Sequence, residues 1–263
     1  MVPTSAFKDV YGPYAVIAGG SDGLGFAFAE AAARRGVNLV LIARQEERLQ
    51  ASANRLKDAF HVDVVPLAAD MADVESVITQ LDALNKDIGL LVYNAALCPI
   101  GPFEHQTSDE LSLATAVNVR APLLLAKHLS ASMISRGRGG IVLMSSLAGG
   151  QGSPNIAAYA ATKSFNATLA EGLWSELKPH GVDVLACCAG AILTPGYNKA
   201  ETSKPAPGTM TPEQVAETTL DALGRGPIVV PGAMNKVGRF ALSRILSRRA
   251  AIAIMSKNTG GLT

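Results

Sequence analysis

Short runs that are apolar at every position alternate along this chain with longer stretches whose apolar residues recur every three or four positions. The first pattern belongs to strands buried on both faces, the second to amphipathic helices. Strands are predicted at Ala15–Ala18, Leu39–Ala43, Val62–Pro66, Leu90–Tyr93, Gly140–Ser145, Val182–Cys187 and Ile228–Val230. Helices are predicted at Phe26–Arg35, Gln45–Lys57, Val74–Asn85, Glu110–Arg136, Tyr159–Lys178 and Pro212–Leu223. Such strands, joined by helical crossovers, require a parallel sheet with helices on both faces. The expected fold class is therefore α/β, a doubly wound sheet of seven strands. With no internal repeat and no linker, residues 1–263 are expected to form one domain.

Two segments depart from the alternation. Pro195–Met210 is rich in Pro, Gly, Ser and Lys and has no period, as expected of a substrate loop. The tail from Gly238 interleaves Arg239, Arg244, Arg248, Arg249 and Lys257 with Phe240, Leu242, Ile245, Leu246, Ile252 and Ile254. It is expected to form a basic amphipathic helix packed on the domain or on a second subunit. A membrane-surface or lid role is the lesser alternative.

Composition narrows the class further. The chain is 48% hydrophobic and 17% charged, which excludes a disordered tail protein. Its 23 Lys+Arg against 22 Asp+Glu leave +1, so no global field attracts nucleic acid. Three cysteines, two of them the neighbours Cys187 and Cys188, make no disulfide framework and suit a reducing compartment. The N-terminus lacks the pattern of a signal peptide, and no apolar run approaches the ~20 residues of a membrane span. A cytoplasmic protein with a small-molecule substrate is expected. His61, His105, His128 and His180 have no ligand spacing, so no metal is expected.

The candidate chemistry begins where the first strand meets the first helix. Gly19, Ser21, Asp22, Gly23, Leu24 and Gly25 form a turn whose amides and helix dipole suit a pyrophosphate. Glycine there permits close approach and unusual φ. The second strand ends in Arg44 rather than a carboxylate, which favours a ribose 2′-phosphate and hence NADP(H), with NAD(H) as the alternative. Arg44 is otherwise a solvated residue at the helix start or pairs with Glu46 or Glu47, and Asp22 would repel a phosphate if it pointed inward.

Tyr159 and Lys163 are spaced i,i+4 and share a helix face, ~6 Å apart at Cβ. An adjacent ammonium favours a phenolate, making the phenol a better acid–base group. Ser146, thirteen residues upstream, stands at the carboxyl end of the fifth strand; Ser145 is its competing neighbour.

The spacing Gly19-x-x-x-Gly23-x-Gly25, with Ser146 before Tyr159-Ala-Ala-Thr-Lys163, resembles the short-chain dehydrogenase/reductase family. The stretch Gly20-Ser-Asp-Gly-Leu-Gly25, with Asn38-Leu-Val-Leu-Ile-Ala-Arg44 after it, resembles the branch of hydroxysteroid dehydrogenases and ketoacyl reductases. The resemblance implies a Rossmann-type fold and hydride transfer between a nicotinamide and a ketone, aldehyde or secondary alcohol. It implies Tyr159 as acid–base, Lys163 lowering its pKa and holding the nicotinamide ribose, Ser146 on the carbonyl oxygen, and Asn118 in a proton relay. Asp70 and Met71 would lie near the adenine, Asp70 otherwise capping the next helix. Asn94 would support the cofactor from a turn where Tyr93 and Ala96 replace the family's Asn and Gly. Ile192 and Thr194 would contact the nicotinamide amide. The opening Tyr11-Gly12-Pro13-Tyr14 and the run from Gly181 to Val184 are similar to bacterial bile-acid hydroxysteroid dehydrogenases. A bulky apolar substrate is implied. The alternatives are a small polar ketone or sugar and, in another class, a non-enzymatic NAD(P)-binding regulator. Relatives of this kind imply a homodimer or homotetramer through Ala121–Met133 and Tyr159–Lys178.

Overall fold

The computed structural model describes residues 4–193 and 208–260. Seven parallel strands lie in the order β3-β2-β1-β4-β5-β6-β7: β1 Tyr14–Ala18, β2 Asn38–Ala43, β3 Val64–Ala68, β4 Ile88–Tyr93, β5 Gly139–Ser146, β6 Val182–Ala189 and β7 Ile228–Val229. This is the expected doubly wound, Rossmann-type sheet. Alternate residues of each strand enter opposite cores. Ile17, Leu41 and Val92 face α2 (Gly23–Arg34) and α3 (Glu46–Phe60), whereas Val16, Ile42, Leu91 and Leu143 face α4 (Val74–Ala83) and the helices that follow β4. Those helices are α5 (Ser108–Thr115) and α6 (Ala121–Arg136); α7 (Ala157–Leu177) follows β5 on the same face.

The chain leaves β1 in one direction and returns to the other side at β4. The reversal opens a crevice at the carboxyl ends of these two strands. The glycine turn and Asn94 both fall there.

Several boundaries differ from the sequence reading for local reasons. The first predicted helix begins three residues early, at Gly23, because Asp22 caps it. β3 starts at Val64 rather than Val62, and its Pro66 is tolerated on an edge strand. The long helix over Glu110–Arg136 is interrupted by a π-turn at Ala116–Arg120. An unpredicted α1 (Thr4–Tyr11) places Phe7 and Tyr11 in the core, with the Tyr11 hydroxyl donating to Asp183 at 2.7 Å.

Beyond α8 (Pro212–Asp221), the tail forms two helices instead of one. α9 (Ala233–Phe240) runs into a π-turn at Ala241–Ile245; the chain then extends at Leu246, and Ser247 caps α10 (Arg248–Thr259). α10 packs on the domain, as expected: Arg248 Nη1 donates to Gly150 O at 2.9 Å and Asn155 Nδ2 to Thr259 O at 3.1 Å. Among the described residues no helix is long and apolar enough to cross a membrane.

Candidate active site

The turn after β1 is built by contacts between backbone atoms. The Gly19 and Gly20 amides both donate to Ile42 O, at 2.8 and 3.2 Å, which fixes the turn to β2. Gly19 has φ +78, and a Cβ there would meet the Ala95 backbone at 3.0 Å. The limit is harder at Gly25, where a Cβ would lie 1.8 Å from the Gly19 carbonyl oxygen. Gly25 is therefore required by closure of the turn on itself rather than by approach of a ligand. Asn94 completes this packing by donating to Gly19 O at 3.3 Å.

A cleft of about 610 Å³ opens over the turn. Of the expected cofactor residues, Gly19, Ser21, Arg44, Asp70, Met71 and Asn94 line it; Asp22, Gly23, Leu24 and Gly25 shape the turn without lining the cleft. Asp22 accepts from the Gly23 amide at 2.7 Å and pairs with Arg48 Nη1 at 3.1 Å, so its charge is directed at the cap and at α3. The exposed Arg44 makes no ion pair among the described residues, which removes the pairing with Glu46 or Glu47 as its explanation. Asp70 accepts from Ala72 N at 2.9 Å, while the cap of α4 is Asp73. The capping alternative for Asp70 is thereby corrected.

These residues fit a dinucleotide. Gly19 leaves the turn without a side chain beside the cleft, α2 begins directly behind it, and Arg44 adds a guanidinium with no ion pair among the described residues.

The reacting groups do not line that cleft; they converge at the same carboxyl edge of the sheet, at the end of β5. Ser145 is buried and donates to Lys163 O at 2.7 Å, which ties β5 to α7. Ser146 accepts from Ala148 N at 3.2 Å, and its hydroxyl lies close enough to Tyr159 to hold the phenol's pKa down. The two serines therefore have different work, and Ser146 is the one that meets Tyr159. Lys163 is only 3% exposed; its Nζ donates to Met144 O at 3.0 Å and lies 5.4 Å from the centre of the Tyr159 ring. Burial pushes Lys163 down to about 8. Burial also pushes Tyr159 up to about 12, with Cys98 adding to the rise and the Ser146 hydrogen bond opposing it. Burial is the first cause for both groups, and the Lys163 ammonium bonds a strand carbonyl.

Asn118 is fully buried in the π-turn. Its Oδ1 accepts from Leu97 N at 2.8 Å; its Nδ2 donates to Leu97 O at 2.7 Å and to Thr162 Oγ1 at 3.1 Å. Thr162 in turn donates to Tyr159 O at 2.8 Å. Both amide N–H donors are thus engaged by protein, and the side chain holds the Leu97 segment against the start of α7.

Sequence reading missed Arg48, Thr162 and Asn235 as site residues; it placed Tyr93 only as a replacement in the cofactor turn and Cys98 only at the start of the substrate loop Cys98–Thr107. The buried Tyr93 donates to Val117 O at 2.5 Å, binding a carbonyl of the π-turn. Exposed Cys98 lies near enough to act on Tyr159 and Lys163. Asn235 donates to Gly208 O at 3.0 Å and would block any side chain at Gly190, so it ties together the two ends of the loop region that carries Ile192. Ile192 is half-buried and bridges Met210. Thr194, like most of Pro195–Met210, lies outside the described residues. Cys187 and Cys188 are free and buried in β6. Among the described residues, no group of histidine, cysteine and carboxylate side chains has the arrangement of a metal site.

A doubly wound sheet with a glycine turn at its switch point, and a Ser–Tyr–Lys set beyond it, defines a nicotinamide-dependent oxidoreductase architecture. The model of the short chain dehydrogenases matches residues 13–205, and the chain belongs to that family. It is 28% identical over 254 residues to a 7β-hydroxysteroid dehydrogenase of Clostridium sardiniense, covering 95% of this chain and 97% of that one. A solved structure described as giving insight into 7β-hydroxysteroid dehydrogenase stereoselectivity superposes with TM-score 0.88 at 25% identity, covering 95% and 99% of the two chains. A short-chain dehydrogenase from Sphingobium yanoikuyae in complex with NADPH matches at TM-score 0.76 and 29% identity, covering 94% of each chain.

Proposed function

We propose that this single-domain protein is an NADP(H)-dependent oxidoreductase that interconverts a ketone and a secondary alcohol on a bulky apolar, steroid-like substrate. The observation that carries the reading is the convergence of Ser146, Tyr159 and Lys163 at the crevice that also holds the glycine turn. Arg44, exposed at the cleft and without an ion pair among the described residues, supports the 2′-phosphate form of the cofactor, as does the similarity to a protein in complex with NADPH. The apolar substrate is supported by exposed Ile100, Phe103 and Leu193 on segments beside the crevice and by the similarity to a hydroxysteroid dehydrogenase.

The turn amides and Arg44 would hold the dinucleotide, which when bound supplies or accepts the hydride. Ser146 donates a hydrogen bond to the carbonyl oxygen and aligns it with Tyr159. Tyr159, a neutral phenol at pH 7, gives its proton to that oxygen as the alcohol forms, and takes a proton back in the reverse direction. Lys163 supplies positive charge beneath the phenol ring. Asn118 and Thr162 hold the backbone of Tyr159 and act as positioning residues. We assign the partner in the cytoplasm as a second copy of the chain, paired through α6 and α7.

The test is a panel of steroid, acyl and sugar ketones with NADPH and NADH, run on the wild type, Tyr159→Phe and Arg44→Ala. The expected result is turnover of the bulky ketones with NADPH, lost in Tyr159→Phe, and an NADPH preference lost in Arg44→Ala. Turnover of sugars alone would overturn the substrate class. Tight nucleotide binding without turnover of any ketone would favour a regulator.

A further inference from the structure

The cleft holds a second arginine that the cofactor reading does not use. Arg48 is the third residue of α3, whose rotation is fixed by buried Leu49, Ala53 and Leu56. Ser52, one turn further on, donates to Ser21 O at 2.9 Å and anchors that flank of α3 against the glycine turn. Arg48 therefore lies on the flank that lines the cleft with Arg44 and Gln45, and neither Glu46 nor Glu47 lines it. The counter-ion of Arg48 is Asp22, 3.1 Å away, in a pair whose side chains are 57% and 47% exposed. An ion pair that open to water holds its partners weakly. A phosphate dianion held in a guanidinium fork is a stronger acceptor than a carboxylate already engaged by a helix N-terminus.

We infer that Arg48 is a second specificity-determining cation of the 2′-phosphate site, kept in place by Asp22 and exchanged from that carboxylate to the phosphate on binding. The inference rests on the NADP(H) reading and deepens it. Asp22 then has two roles, capping α2 and competing with the ligand for Arg48, so it sets how strongly the cofactor phosphate is held. Arg44 supplies the standing charge of the site and Arg48 the exchangeable one.

The experiment measures dissociation constants of NADPH and NADH by nucleotide fluorescence for the wild type, Arg44→Ala, Arg48→Ala, Asp22→Asn and the Asp22→Asn/Arg48→Ala double variant. Asparagine is as good a helix cap as aspartate, so Asp22→Asn keeps α2 and removes only the competing charge. Arg48→Ala is expected to weaken NADPH about tenfold with NADH unchanged, the size of one charge-assisted contact. Asp22→Asn is expected to tighten NADPH severalfold, and the gain is expected to vanish in the double variant. Melting temperatures within a degree or two of the wild type show that these exposed substitutions leave the fold intact. If Arg48→Ala leaves NADPH unchanged, or weakens both nucleotides equally, while Arg44→Ala lowers NADPH alone, the inference fails and the NADP(H) reading stands. If neither arginine changes the NADPH-to-NADH ratio, both fail.

Discussion

The two ends of the crevice are built by different physics. At the glycine turn the constraints are steric and lie in the backbone: Gly19 at φ +78, Gly25 with no room for a methyl, and amides fixed to Ile42 O. At the reacting end they are electrostatic and lie in side chains: Lys163 buried and lowered, Tyr159 raised by burial, Ser146 opposing that rise. The first end makes a shape that any dinucleotide can enter. The second makes a reactivity that depends on burial. Substitutions at the two ends should therefore fail in different observables.

The largest effect belongs to the reacting end. Tyr159→Phe removes the proton donor and is expected to lower turnover by ~10²–10⁴. The NADPH dissociation constant should stay near the wild-type value. A parallel loss of cofactor affinity would show that the two ends are not separable in this way. Gly25→Ala tests the other end. The methyl would stand 1.8 Å from Gly19 O, so the turn must open. Expected are a loss of about 1–3 kcal/mol of stability, as for overpacking, and weaker binding of both nucleotides together. Unchanged binding of either would break the steric account.

The reacting end should also respond to pH where the turn does not. Lys163, lowered to about 8, is charged below that value and neutral above it. Losing the cation removes positive charge beside Tyr159 and makes the phenol a poorer acid. Ketone reduction at saturating NADPH should therefore be flat below about 8 and fall as pH rises beyond it, by about tenfold per unit. A rate that rises through that range would contradict the assignment of Lys163.

The sheet and the main site were legible in the sequence because their rules are local. Runs apolar at every position mark strands buried on both faces, glycine spacing reports backbone sterics, and Tyr159 with Lys163 is one turn of one helix. What escaped depends on contacts between distant positions. Arg48 meets Asp22 across 26 residues, and Asn235 meets Gly208 across 27. α1 is eight residues long, too short for a clear period. The break in the tail did leave a signal, since Ser247 before Arg248 is a helix cap, but the surrounding apolar and basic residues continue the helical pattern through it. Desolvation was invisible as well: spacing places Lys163 beside Tyr159, but only packing shows how far burial shifts each of them.

Tyr93 tests whether the two ends are joined, and its expected effect is the smallest. It stands at the end of β4, next to Asn94, which braces the glycine turn, and its hydroxyl binds Val117 O in the π-turn that carries Asn118. Tyr93→Phe keeps the ring in the core and removes that one bond. The Val117 carbonyl then lacks this donor, which should lower stability by about 1–3 kcal/mol in a denaturant titration. Since Asn118 and Thr162 lead from the π-turn to the Tyr159 backbone, turnover should fall a few fold as the phenol loses its register. Nucleotide affinity should hold, because Asn94 Nδ2 remains on Gly19 O. If affinity falls instead and turnover per bound cofactor is preserved, the π-turn braces the glycine turn rather than the reacting set, and the boundary between the two ends lies on the other side of β4.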